Sequence, residues 1–281
     1  MTRAPVLALR GVSKTFGAVR ALVDVDLAVH PGEVLAVVGD NGAGKSTVVK
    51  ILAGVLGPDT GTVELDGHPV AFSTPGAARA ACVAAVFQDL ALCDNLDVVE
   101  NIFLGHEVLQ PPRRPGALLD EVEMERLAWE LLGELAVRLP SVRVPVGTLS
   151  GGQRQAVAIL RALHGTPRVV LLDEPTSALG VAQTAEVLTL VERLRDRGLG
   201  VVLVSNSMAD VHAVADRIAV LRLGRHAVTF DARTTSYEDL LAAVTGARRP
   251  LPSSVTAPSD TVPRGVDRTA DASTGAPEAA R

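Results

Sequence analysis

Long apolar runs are missing from this chain of 281 residues. No stretch approaches the ~20 apolar residues of a spanning helix, so the expected architecture has no membrane segment of its own. Met1 to Arg10 lacks the apolar centre of a secretory leader. The expectation is a protein made and kept inside the cell, with any spanning part supplied by a separate subunit. Cysteine is scarce: Cys82 and Cys93 stand without metal-ligand spacing, which favours reduced, partly buried thiols over a disulfide. Basic charge is not in excess either, and a formal net charge of −5 argues against a general nucleic-acid binder. Lysine is nearly absent beside arginine, a matter of genomic base composition; Lys14, Lys45 and Lys50 are the only ones. Against that background the place of Lys45 carries information. What remains is a hydrophobic content of 47%, ordinary for a globular protein, and enough length for one large α/β domain with a substantial core.

The most informative residues are Gly39-Asp40-Asn41-Gly42-Ala43-Gly44-Lys45-Ser46-Thr47, the pattern G-x-x-x-x-G-K-[ST]. A glycine-rich turn lets backbone N–H groups close around phosphates, and the helix that follows presents its positive N-terminus to the same anion. Lys45 can then reach the outer phosphates, and the Ser46 hydroxyl can ligate Mg²⁺. Val34 to Val38 reads as the strand feeding the loop. Val48, Val49, Ile51 and Leu52 read as the buried side of the helix leaving it, with Gly54 placed to end that helix.

Phosphate binding alone leaves kinases, GTPases and ATPases open. The run Val169-Val170-Leu171-Leu172-Asp173-Glu174-Pro175 narrows the choice. Four apolar residues predict a buried parallel strand with two carboxylates at its end. Asp173 is suited to hold the Mg²⁺ shell and Glu174 to polarise an attacking water. No Asn-Lys-x-Asp base-reading motif follows, which argues against a GTPase. A second anion site is predicted at Ser150-Gly151-Gly152-Gln153, ahead of a helix-like run from Arg154 to Leu163. As bare sequence this element also fits a capped helix in a glycine turn. One nucleotide does not need two such sites from one chain.

Together these motifs make the chain resemble the ATP-binding cassette ATPases, over Pro5 to Gly246. The resemblance implies an α/β fold: a P-loop NTPase (RecA-like) core with an antiparallel β-subdomain and a helical signature subdomain. It implies ATP and Mg²⁺ as ligands, and a second site that clamps the ATP bound by a partner chain. Phe16 sits where the family stacks an aromatic ring on adenine. Gln88 sits where the family has the glutamine that touches Mg²⁺ and senses the transmembrane partner. The stretch Phe87 to Gly105 looks like the ATPases of monosaccharide importers of the ribose, xylose and fructose type, as do Leu119 to Arg126, Gln153 to Ala158 and Ala178-Leu179-Gly180. Many of those fuse two cassettes. This chain has one phosphate loop and one signature, so its working unit is expected to be a pair of chains, identical or not.

One position departs from the family. After Ser205 a histidine contacting the γ-phosphate is expected, and this chain has Asn206, while His212 lies too far along to replace it. Asparagine donates a hydrogen bond but carries neither proton nor charge. Asn206 is therefore grouped with Glu174 at the chemistry, with turnover in question and nucleotide binding not. The leading reading is an ATP-hydrolysing importer subunit at the cytoplasmic face of the membrane. Its partners are a polytopic permease and, indirectly, a periplasmic or lipoprotein sugar-binding protein, with no nucleic acid. The alternatives are a cytosolic cassette ATPase without a transporter, and a cassette that hydrolyses weakly because of Asn206.

Around the motifs, Val23, Val25, Leu27 and Val29 alternate as a half-buried strand should. Thr62 to Leu65 with Asp66-Gly67 reads as a strand and hairpin turn. Leu118 to Leu135 predicts a helix with Met124, Leu127, Leu131 and Leu135 on one face, within a helical subdomain over about 89–164. Val181 to Arg197 predicts another helix stopped by Gly198, and Gly200 to Ser205 and Arg217 to Leu221 predict strands. Ser236 and Asp239 mark a helix start. The cassette domain is expected over 5–246, and 247–281, without aromatic residues, as a disordered tail.

Overall fold

The computed structural model describes residues 4–111 and 117–247. Beyond Ala247 the expected tail lies outside the described residues. In chain order the strands are β1 (Leu7–Phe16), β2 (Val19–Val29), β3 (Val34–Val38), β4 (Thr60–Leu65), β5 (His68–Val70), β6 (Val83–Val86), β7 (Val169–Asp173), β8 (Gly200–Val204), β9 (Arg217–Arg222) and β10 (Arg225–Asp231). The helices are α1 (Lys45–Leu52), α2 (Pro75–Ala80), α3 (Val98–Phe103), α4 (Glu121–Glu134), α5 (Gly151–Leu163), α6 (Val181–Asp196), α7 (Met208–Val214) and α8 (Tyr237–Thr245).

Two sheets face each other. One is antiparallel, in the order β2-β1-β4-β5; the other runs β10-β9-β3-β8-β7-β6. In the second, β9, β3, β8, β7 and β6 are parallel and β10 turns back along β9. The runs Val34–Val38, Val169–Asp173 and Gly200–Val204 are buried along their whole length, as strands covered on both faces must be. Leu35, Val37, Leu171 and Val202 pack toward the antiparallel sheet with Val48 and Ile51 of α1. The opposite face, through Val170, Leu172, Val201 and Leu203, packs on α3, α4, α5 and α6. Leu160 of α5 is fully buried in that layer. Leu160→Ala is expected to cost about 2–5 kcal/mol of stability, read by denaturant unfolding.

Three details differ from the pattern in the sequence. In β2 the buried set is Leu22, Val25, Leu27 and Val29, with Val23 only half-buried. Asp24 takes a positive φ of 52°, and the pairing with β1 shifts register there. Such a bulge resets the alternation. Helix α4 starts at Glu121, where the Asp120 carboxylate caps Glu123 N–H, and Leu118 and Leu119 are left exposed. Its inner face is Met124, Ala128 and Leu132, continued by Leu135, while Leu127 and Leu131 are half-buried. Helix α5 begins at Gly151, not Arg154, because Ser150 is its cap.

Candidate functional site

Strand order gathers the site. In the parallel sheet β3, β8, β7 and β6 lie side by side, with Val37 beside Val204, Val204 beside Asp173, and Leu172 beside Val86. Their carboxyl ends therefore release the 39–44 loop, Asn206, Glu174 and Gln88 along one edge, where open α/β sheets form their crevices.

The 39–44 loop is shaped by close backbone approach. A Cβ on Gly39 would lie 2.2 Å from the Leu221 carbonyl oxygen, and one on Gly44 would lie 2.6 Å from that of Ala21. Neither position has room for a side chain, so the loop can close tightly between β9 and β2. Asp40, Asn41 and Gly42 are exposed, Ala43 is buried, and Thr47 is half-buried on the first turn of α1. Lys45 is buried, and its Nζ donates to the carbonyls of Gly39 at 2.7 Å and Asp40 at 3.1 Å. An ammonium has three donors, so one remains for an anion at the loop. Burial pushes the Lys45 pKa down, against the opposing charges of Glu174, Asp173 and Asp40.

Ser46 Oγ donates to Asp173 Oδ1 at 3.4 Å, bringing together residues from the loop and from β7. Burial raises the Asp173 pKa, while the Ser46 hydrogen bond opposes the rise. A hydroxyl and one carboxylate are hard-oxygen donors of the kind Mg²⁺ takes alongside substrate phosphates. Among the described residues no group of His, Cys, Asp and Glu forms an all-protein metal cage, so the donor set fits an ion that keeps phosphate and water ligands. Gln88 is exposed just past the end of β6 and lines a cleft with Glu174.

Glu174 follows Asp173, and its Oε1 accepts from Asn206 Nδ2 at 2.6 Å. The structure thus pairs the two residues that the sequence placed at the chemistry. Phe16 is 46% exposed at the tip of the β1–β2 hairpin, with Lys14 Nζ 5.9 Å from its ring centroid. Further along β2, Ala21 abuts Gly44, so the hairpin flanks the loop.

Ser150, Gly151, Gly152 and Gln153 form the first turn of α5. Gln153 N–H donates to Ser150 Oγ at 3.3 Å, and Ser150 N–H donates to Gln153 Oε1 at 3.0 Å. This is the capped helix start that the bare sequence allowed. Among the described residues no hydrogen bond joins this turn to the 39–44 loop. Gln88, Gly151, Arg154 and Glu174 line one cleft of about 540 Å³.

Asn101 escaped the sequence reading. It is fully buried, its two amide N–H groups are shared among the carbonyls of Cys93 at 3.0 Å, Leu96 at 3.2 Å and Asp97 at 2.9 Å, and its Oδ1 accepts from Cys93 N–H at 2.8 Å. It thereby pins the loop that follows Gln88. A polar residue on the inner face of a short apolar helix was its one signal.

The ABC transporter family model matches residues 22–177. The fructose import ATP-binding protein FrcA of Rhizobium meliloti is 43% identical over 257 residues, covering 89% of this chain and 97% of that protein. The xylose/arabinose import ATP-binding protein XylG of Sulfolobus acidocaldarius is 40% identical over 240 residues, covering 85% and 94%. Among solved structures, a dimeric ATP-binding cassette in a post-hydrolysis state, bound to ADP and Pi, superposes with a TM-score of 0.66 at 27% identity, covering 82% of this chain and 100% of that one. A family match over more than half of the chain, joined to near full-length likeness to FrcA, has one consequence: this chain belongs to the ABC transporter family.

Proposed function

We propose that this protein is the ATP-hydrolysing subunit of a monosaccharide importer, working as a pair of cassettes against a separate membrane permease at the cytoplasmic face. The observation that carries the reading is the likeness to FrcA across 97% of that protein, in a chain whose Ser46 meets Asp173 at the end of β7, with Glu174 the next residue. XylG is likewise named for sugar import, which weighs against a cassette ATPase without a transporter. Among the described residues no helix is long and apolar enough to cross a membrane.

ATP is the substrate. Its phosphates are held by the N–H groups of the 39–44 loop, by the start of α1 and by the free Lys45 donor, while Phe16 offers a flat face to adenine. Ser46, Asp173 and Gln88 hold Mg²⁺, which when bound balances phosphate charge. Glu174 orients and polarises the attacking water. The Ser150-Gly151-Gly152 turn serves the nucleotide on the other chain, so closing the pair completes two sites. Within the 5–246 cassette, the helical part over about 89–164 carries that turn, and the segment from Gln88 to Gly105 meets the permease. A sugar-binding protein outside the membrane delivers the substrate to that permease.

Affinity purification of the full chain from membranes tests the assignment: a polytopic membrane protein is expected to co-purify, and its absence contradicts the reading. Asn206 sets the rate. Its amide reaches Glu174 but cannot share a proton. Asn206→His is expected to raise kcat about tenfold, toward the lower end of the range for a positioned acid–base group, with ATP affinity unchanged. Steady-state phosphate release by both proteins checks this, and equal rates mean that position 206 does not limit the chemistry.

A further inference from the structure

We propose that Thr176 and Asp210 are a positioning pair that sets the orientation of Glu174 through Asn206, a deepening of the hydrolytic reading that rests on it. The two segments involved leave the adjacent parallel strands β7 and β8. Past the strand ends a single backbone hydrogen bond continues the ladder, Glu174 N–H to Val204 O at 2.9 Å. Beyond it the segments are held by two side-chain ties. Asn206 Nδ2 donates to Glu174 Oε1 at 2.6 Å, and Thr176 Oγ1 donates to Asp210 Oδ2 at 2.6 Å. All four residues line one cavity of about 280 Å³, together with Ser205 and Ser207.

Glu174 needs such support. Its φ is +51°, a left-handed conformation that a non-glycine residue holds only where its surroundings over-determine it. The Asn206 tie is exposed to solvent, where a hydrogen bond competes with water. The Thr176–Asp210 tie is half-buried and joins the same two segments further along.

Asp210 also has an ordinary role to weigh. It is the third residue of α7, and its N–H donates to the capping Ser207 Oγ at 3.3 Å. A capping box would send its carboxylate back to Ser207 N–H. That N–H instead donates to Ser205 Oγ at 3.0 Å, and the carboxylate turns to Thr176. The cap uses the backbone of Asp210, and its side chain is spent on the segment that carries Glu174. This matters more here because residue 206 is a neutral amide with one contact to Glu174.

The test uses the full chain with Asp210→Ala, Asp210→Asn and Thr176→Val, reading kcat and KM for phosphate release from MgATP, ATP affinity by calorimetry, and the thermal melt. Asp210→Ala and Thr176→Val are expected to lower kcat tenfold or more with ATP affinity within twofold of wild type. Asp210→Asn keeps an acceptor for the Thr176 hydroxyl and is expected to restore kcat to within threefold. In an Asn206→Ala background, Asp210→Ala is expected to cost less than twofold, because the amide through which it acts is gone. An unchanged kcat in Thr176→Val, a loss in Asp210→Asn equal to that in Asp210→Ala, or fully additive losses with Asn206→Ala each overturn the proposal. Wild-type protein that releases no phosphate overturns the hydrolytic reading as well, whereas wild-type turnover with an indifferent Thr176→Val overturns the positioning pair alone.

Discussion

Replacing Glu174 with glutamine is expected to lower kcat for ATP hydrolysis by about 10²–10⁴-fold, the usual loss of a positioned base, while ATP still binds. The substitution keeps the shape of the side chain and an oxygen that can accept from Asn206, whose amide lies 2.6 Å from Glu174 Oε1. What it removes is the charge that polarises water. The phosphate loop is untouched: Lys45 keeps its two carbonyl contacts within the loop, and Ser46 still meets Asp173. The Ser150 turn is untouched as well, its capping box closed within the first turn of α5. With both anion sites intact and turnover blocked, two chains should stay closed around ATP. Size exclusion with saturating ATP is expected to show a doubled mass for Glu174→Gln, and a monomer under those conditions counts against shared-site closure.

Lys45→Ala is expected to weaken ATP binding about 10- to 150-fold, the equivalent of ~1.5–3 kcal/mol for a hydrogen bond to a charged group. The ammonium is buried among Glu174, Asp173 and Asp40, whose charges oppose the fall that burial imposes on its pKa. Removing it takes away the cation facing the outer phosphates. It also leaves those three carboxylates to repel an incoming anion. Calorimetry on the full chain reads the affinity directly. Unchanged affinity contradicts the assignment of the 39–47 segment to phosphate.

The parts of this molecule that were legible in the sequence are those fixed by near neighbours. The strand Val34–Val38, its loop and the buried face of α1 lie within a short stretch, and one repeating pattern marks each. The Asp66-Gly67 turn between β4 and β5 and the Ser236 cap of α8 are equally local. The sequence reading failed where one residue changes the count. A positive φ at Asp24 shifted the buried face of β2 from Val23 to Leu22, and the Asp120 cap left Leu118 and Leu119 outside α4.

The candidate site divides the same way. That residues 39–44 form a loop before a helix could be read from spacing, but the strand order that sets Asn206 and Glu174 side by side could not. It depends on β8 inserting between β3 and β7, a pairing of distant segments. The reach of Arg161 to the carbonyls of Leu90 and Ala91, and that of Asp210 to Thr176, are long-range contacts for the same reason. Neither residue type nor local pattern announces them. The Asn101 pin is local, but it was hidden among the apolar neighbours of α3.

The most direct test of the account is sugar uptake by cells that lack this chain. A panel of labelled pentoses and hexoses is offered to the deletion strain, complemented with the wild-type chain or with Glu174→Gln. The account predicts that uptake of at least one monosaccharide is lost in the deletion, returns with the wild-type chain and does not return with Glu174→Gln. Uptake of every sugar at wild-type rates in the deletion strain, or full restoration by Glu174→Gln, contradicts it.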